Sequence, residues 1–291
     1  MDVSIIIINY RTAELTISAV EAVRNALENS ISYQIIIVDN NSKDGSIDKL
    51  MTLRNQNTIV IETEYNGGFG YGNNIGAGYA TGKYLFFLNS DTILSPCVLE
   101  KMIRYIERTP STGILSCHMV DGNRTPLVVG HSFENLFTLF RQTIVKPVIP
   151  KIIHHWRGRL AHEKRKGETI TADWVSGAAL LMSSRLFHKV GGWCEDYFMY
   201  MEDEDLCRRV RHMGYNVEVY NSVGLVHLVG KSGGSEFVAR EKYKSAIKYF
   251  RKYRAKGYYW IKILLLIQSW FYVKNMNFMG RVNLIKKLLS A

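Results

Sequence analysis

No Cys-x-x-Cys pair occurs among the four cysteines, Cys97, Cys117, Cys194 and Cys207. Their wide spacing argues against both a disulfide framework and a zinc knuckle, and they read as reduced thiols of a cytoplasmic protein. Proline is scarce, 5 in 291 residues, and the 23 glycines follow no repeat, so collagen-like and low-complexity classes are out. The glycines of 67–78 (GGFGYGNNIGAG) never satisfy G-x-G-x-x-G. Residues 77–84 (AGYATGKY) lack the first glycine and the final Ser/Thr of a P-loop, so neither NAD binding nor ATP hydrolysis is indicated. The amino terminus, MDVSIIIINY, has no basic leader region: Asp2 is acidic and the rest reads as a strand, which predicts a protein kept in the cytoplasm.

Acid is nearly missing from one region. Residues 240–291 hold thirteen Lys and Arg against the single acid Glu241, a net +12 in a chain whose total is +11. Within this tail the apolar run 258–273 carries aromatic residues at both ends and Lys262 inside it. Its 16 residues would span about 24 Å as a helix, short of the ~20 apolar residues that cross a bilayer. Basic flanks with Trp, Tyr and Leu fit a helix lying in an anionic membrane interface, and a core helix beside a solvated basic one is the other reading. No zinc-finger spacing or RNA-binding signature accompanies the charge, so nucleic acid is not an expected partner.

What is present suffices for a large core: 47% of residues are hydrophobic and 12% aromatic. Apolar runs of strand length at 3–8, 35–39, 58–62 and 83–88 alternate with helical patterns at about 12–29 and 44–54. A short helix is expected after the glycine-rich stretch Gly67–Gly72, and another from Ser95-Pro96, a cap followed by proline. The order predicts an α/β fold with a doubly wound, mostly parallel sheet flanked by helices. Residues 121–170, rich in His and basic residues, read as a long insertion; order resumes over 171–235, with a helix at about 202–213 and strands near 216–229.

Ligands of such sheets bind beyond the carboxyl ends of the strands. Two polar clusters fall there, Asp39-Asn40-Asn41-Ser42 and Asn89-Ser90-Asp91. Asp91 is a candidate for holding Mg²⁺ or Mn²⁺ on a diphosphate, or simply for closing an Asx turn. Glu202-Asp203-Glu204-Asp205 opens a helix that ends in Arg208, Arg209 and Arg211. The helix dipole accounts for that order, and a general base among the four is the functional reading. His227, in the apolar stretch 224–230, reads as a core histidine or a ligand.

Taken together, these motifs resemble glycosyltransferase family 2, inverting enzymes of the GT-A fold, and most closely its rhamnosyltransferase-like branch. The resemblance runs from Ser4 to about Tyr253. It rests on Asn9-Tyr10, Val38-Asp-Asn-Asn-Ser42, Asn66-Gly-Gly-Phe-Gly-Tyr-Gly-Asn-Asn74, Leu88-Asn-Ser-Asp-Thr92, Trp174-Val-Ser-Gly177, Gly191-Gly-Trp193, 197–206 and His227. It implies a catalytic domain over 1–239, with a nucleotide-binding half to about 120 and an acceptor half from 121, followed by the tail 240–291. The nucleotide-sugar site would use Asn9, Asp39, Asn66, Gly67, Gly68, Asn73, Asn74, Asn89 and Asp91. Asn89 stands where the family has the first acid of its D-x-D turn, which leaves Asp91 with His227 and the diphosphate as the expected metal set. Asp203 would be the base, and Trp174, Trp193 and Glu202 would face the acceptor.

The implied activity is transfer of a sugar, best L-rhamnose from dTDP-rhamnose, to a glycan or polyprenyl-diphosphate-linked acceptor in surface polysaccharide synthesis. The expected place is the cytoplasmic face of the membrane. Alternatives are a galactofuranosyl-, N-acetylglucosaminyl- or other hexosyltransferase, since nothing in the pocket motifs reads the sugar, and, from another class, an inactive nucleotide-sugar-binding or scaffold protein. A nucleotidyltransferase would want a glycine-rich loop where this chain has Asn9-Tyr10-Arg11-Thr12.

Overall fold

The computed structural model describes residues 1–27, 31–145, 168–228, 236–272 and 278–289; the basic stretch at 154–166 lies outside them. In chain order the elements are β1 (Val3–Asn9), α1 (Ala13–Leu27), β2 (Tyr33–Asp39), α2 (Ser46–Met51), β3 (Thr58–Glu62), α3 (Phe69–Gly78), β4 (Tyr84–Asn89), β5 (Thr92–Leu94), α4 (Val98–Arg108) and β6 (Thr112–Val120). There follow β7 (Gly130–His131), α5 (Leu136–Phe140) with a π-turn at Arg141–Val145, β8 (Thr169–Ala172), β9 (Trp174–Val175) and β10 (Ala179–Ser183). The remaining elements are α6 (Ser184–Lys189), α7 (Glu202–His212), β11 (Asn216–His227), α8 (Glu236–Lys252), α9 (Tyr258–Tyr272) and α10 (Phe278–Leu289).

The described strands form one large sheet in the order β3-β2-β1-β4-β10-β6-β11-β5, with β8 on β11; β7 and β9 pair separately. From β3 to β4 every pairing is parallel. The expected parallel character therefore holds across the amino-terminal half, while β10 runs antiparallel to both β4 and β6. Ile5, Ile6 and Ile7, Ile35 to Val38, and Leu85 to Phe87 are fully buried, as continuous apolar runs require when helices cover both faces. β2 lies on one side of β1 and β4 on the other, so the chain reverses its winding between β1 and β4. Crevices at such reversals are where open α/β sheets bind ligands.

Two local expectations are corrected. The helix expected from Ser95-Pro96 starts at Val98, after a turn in which Val98 N–H reaches Ser95 O and Cys97 is left-handed at φ 61°. The reason is β5, which occupies the chain to Leu94 and leaves Pro96 in the connecting turn. The glycine-rich stretch is not all loop: α3 begins inside it, at Phe69. A Cβ on Gly76 would lie 2.6 Å from Ile6 Cγ2, so glycine there lets α3 settle directly on β1. Gly76→Val is expected to destabilise the protein by about 1–3 kcal/mol, because Ile6 is fully buried and has no room to yield. A thermal melt checks this.

The chain divides into two compact units. The first comprises Met1–Ser132, Gly167–Glu195 and Glu202–Val229, and contains the sheet. The second draws on Phe133–Lys166, Asp196–Met201 and Gly230–Ala291, and its described regular elements are helical. There α8 spans position 240 and buries Val238, Tyr243, Ile247 and Phe250, and α9 and α10 pack against it. Among the described residues no helix is long and apolar enough to cross a membrane.

Candidate active site

The carboxyl ends of β1 and β2 are tied together by a buried polar knot. Asn9 Nδ2 donates to Asp39 Oδ1 (2.5 Å) and Ser42 Oγ (3.1 Å), and Asn9 Oδ1 accepts from Thr16 Oγ1 (2.9 Å). Asp39 further accepts from Ser42 Oγ (2.5 Å) and from Ser42 N–H (3.0 Å). Asn9 is fully buried and holds Asp39 in place. Asp39 is 1% exposed, and the following turn Asn41–Lys43 has both end residues left-handed. Across the reversal, Thr12 Oγ1 and Ser90 Oγ stand 3.2 Å apart.

The next loop hangs on Asn40. Its Nδ2 donates to Asn66 Oδ1 (3.0 Å) and Gly68 O (2.9 Å), and Gly68 N–H returns to Asn66 Oδ1 (3.0 Å). Gly68 has φ +91°, ψ −173°, a conformation open essentially to glycine, and this turns the chain into α3. Gly67 lies against Tyr71, which stacks on the exposed Tyr65. Asn73 is 1% exposed and bonds Phe69 O, so it braces α3. Asn74 clamps the 192–195 loop: Oδ1 accepts from Trp193 N–H, and Nδ2 donates to Trp193 O and Glu195 Oε1.

Asp91 and His227 are 136 residues apart in sequence, and strand pairing joins them. β5 pairs antiparallel with β11, with Thr92 opposite His227, and Leu228 N–H bonds Asp91 O at 2.8 Å. His227 Nε2 then sits 3.1 Å from Asp91 Oδ1, both side chains partly exposed. Neighbouring ligands around a hard octahedral cation at ~2.1 Å are about 3 Å apart, so this donor pair fits two positions of such a site. Among the described residues no cluster of three or more His, Cys, Asp or Glu could hold a metal alone. Asn89 N–H bonds Ala178 O (2.9 Å), and its own carbonyl accepts from Thr92 Oγ1 (2.6 Å).

Asp203 lies in the first turn of α7. Its Oδ2 accepts from Gly177 N–H (3.3 Å) and its Oδ1 from Glu204 N–H (2.8 Å). Burial pushes the carboxyl above the ordinary carboxylate range, against the opposing pull of those hydrogen bonds. Gly177 holds Asp203 and the adjacent Ala178 holds Asn89, so the base candidate and the Asp91 turn abut one short segment. Two of the other acids of α7 meet bases one helical turn on. Glu204 pairs with Arg208 (3.9 Å), and Asp205 with Arg209 (2.6 Å), which also caps Val190 O. Four residues after Asp203 stands Cys207, which offers no charge.

Of the expected acceptor residues, Trp174 is half-buried, stacks on His131 (centroids 4.3 Å, 19°) and donates Nε1–H to Ser132 O. Trp193 is 2% exposed and packs edge-on to Phe69 and Phe87 in the core. Glu202 is 6% exposed. The sequence reading missed Asn40, Ser42 and Gly177 as positioning residues. The i, i+4 charge spacing within α7 pairs Glu204 with Arg208 and Asp205 with Arg209 and leaves both Glu202 and Asp203 without a base one turn on, so it does not by itself choose between them.

Residues 4–163 match glycosyl transferase family 2, and residues 84–290 match glycosyl transferase family group 2. The chain is 28% identical over 242 residues to the rhamnosyltransferase WbbL of Escherichia coli K12, covering 76% of this chain and 83% of that protein. It is 26% identical over 213 residues to an N-acetylglucosaminyl-diphospho-decaprenol L-rhamnosyltransferase of Mycobacterium tuberculosis, covering 69% and 68%. A mannosyltransferase from Pyrobaculum calidifontis, solved with GDP-Man and Mn²⁺, superposes with TM-score 0.59 at 14% identity, covering 99% of this chain and 73% of that one. That likeness is one of fold.

Proposed function

Because this chain belongs to glycosyl transferase family 2, with the GT-A fold, we propose that it is an inverting glycosyltransferase that moves a sugar from a nucleoside-diphosphate donor to a lipid-linked glycan acceptor. The observation that carries the reading is the part-buried carboxylate of Asp203, held by Gly177 N–H beside the segment that supports the Asp91 turn. An acceptor hydroxyl is a poor nucleophile. Asp203 takes its proton as the oxygen attacks the anomeric carbon on the face opposite the diphosphate. The new C–O bond forms as the old one breaks, the electron pair leaves with the diphosphate, and the anomeric centre inverts.

Asp91 and His227 would hold a divalent cation, Mg²⁺ or Mn²⁺, whose chemistry when bound is to neutralise charge on the departing diphosphate. Asp39, Asn66, Gly67 and Gly68 would border the nucleotide, with Asn9, Asn73 and Asn74 bracing them. Trp174 would offer the acceptor an apolar face. L-rhamnose from dTDP-rhamnose is the favoured donor sugar, and surface polysaccharide the favoured product, on the likeness to the two rhamnosyltransferases. The basic tail 240–291 would keep the enzyme peripheral on the cytoplasmic face of an anionic membrane.

The test is release of nucleoside diphosphate from a panel of nucleotide sugars, with Mn²⁺ or EDTA, in a membrane lipid extract. Metal-dependent release from dTDP-rhamnose is expected. Release from a different donor alone would overturn the sugar assignment, and folded protein inert on every donor would support the scaffold reading.

A further inference from the structure

The first unit exposes large apolar side chains mostly singly, whereas the second gathers them. On α9 the large exposed apolar residues are Tyr259, Ile263, Ile267 and Phe271, spaced by four along the helix, with Trp260 beside them. The opposite side of the same helix, Ile261, Leu264, Leu265 and Ser269, is buried. Two neighbours extend the exposed side. α5 and its π-turn pack on α9, where Gln268 Nε2 meets Thr143 Oγ1 at 2.6 Å, and they expose Phe137, Phe140 and Ile144. α10 packs on α9 from its own side and exposes Phe278 and Met279. Between α9 and α10 an apolar groove of about 380 Å³ runs along Ile263, Ile267, Phe271 and Ile285.

We infer that this three-helix face of the second unit inserts into the interface of an anionic bilayer, with α9 lying along the surface and α5 beside it. The inference deepens the membrane part of the proposed function, and rests on that reading only for why such docking is useful. It differs from tail electrostatics in assigning the binding to named apolar side chains, some of them far outside the tail. Charge selects the occupant. Residues 240–291 carry +12, so two copies meeting through this face would repel each other, while phosphate headgroups complement its basic surroundings. Apolar area sets the depth of insertion and the basic residues supply the attraction.

The experiment is sedimentation of the full chain with phosphatidylglycerol vesicles and with phosphatidylcholine vesicles, in low and in 0.5 M salt on the order of several times physiological. Wild type is expected to prefer the anionic vesicles and to retain part of its binding in high salt. Trp260→Ser with Phe271→Ser, and separately Phe137→Ser with Phe140→Ser, should each reduce partitioning by roughly tenfold or more. These residues are exposed, so the variants should keep the wild-type melting temperature. Wild-type partitioning by both double variants, or complete loss of wild-type binding in high salt, overturns the inference in favour of charge alone. A wild-type dimer that the variants turn into monomer without change in vesicle binding overturns it in favour of a second copy. Turnover on a short, water-soluble acceptor keeps the transferase reading separate: it should survive in both variants, and its absence in wild type counts against that reading alone.

Discussion

Asp203→Asn is expected to lower turnover by about 10²–10⁴-fold while donor affinity stays at the wild-type value. The side chain keeps its size and still presents an oxygen to Gly177 N–H or Glu204 N–H, so the loss isolates the proton-accepting role. Titration calorimetry with the donor's nucleoside diphosphate, beside steady-state rates, separates the two effects. Near-normal turnover would remove Asp203 from the mechanism. The pH dependence gives an independent check. Burial raises the carboxyl's pKa in the folded protein, so turnover should fall as pH drops through that raised value, because a protonated carboxyl accepts no proton. Stability moves the other way. A carboxyl whose folded pKa is raised costs stability when ionised. Wild type should therefore gain on the Asn variant as pH falls from above the raised pKa to about 3.9, the unfolded value. Melting curves of both proteins across that window would show the gap change sign or shrink; parallel curves would mean that the carboxyl is not desolvated.

Asp91→Ala is expected to weaken Mn²⁺ binding in the presence of a nucleoside diphosphate by at least about 100-fold, with turnover falling alongside. The expectation follows from the donor set. An imidazole ligates as a neutral group, so of the Asp91–His227 pair Asp91 brings the negative charge. His227→Ala should cost less than Asp91→Ala, because it removes a dipole and not a charge. Asn89→Asp should tighten the metal by adding a second carboxylate to the turn. Electron paramagnetic resonance of free Mn²⁺ reads all three without relying on turnover. Unchanged affinity in Asp91→Ala would show that the Asp91–His227 contact is only structural.

The order of strands and helices through β4 was readable because buried parallel strands announce themselves as apolar runs, and Ile5 to Ile7 or Leu85 to Phe87 have no other use in a folded chain. Pro96 misled at α4 because the short strand β5, pinned by pairing with β11, has no sequence pattern of its own. Trp193 was expected at the acceptor on the resemblance alone, since no local pattern tells a core tryptophan from a surface one. Contacts with Phe69 and Phe87 make it core, and Asn74 fastens its backbone.

By itself the sequence determined the strand–helix alternation of the sheet, the polar residues at the strand ends, and the run of four acids that opens α7. Each of these is a local pattern, written in spacings of two, three or four residues. Only the tertiary structure decided which polar side chains are consumed by one another and which remain for chemistry. Asn9 disappears into Asp39 and Ser42, whereas Asp91 meets His227 because β5 and β11 pair across 136 residues. Strand order sets such meetings, and strand order depends on how the whole chain packs, not on the spacing of any one segment.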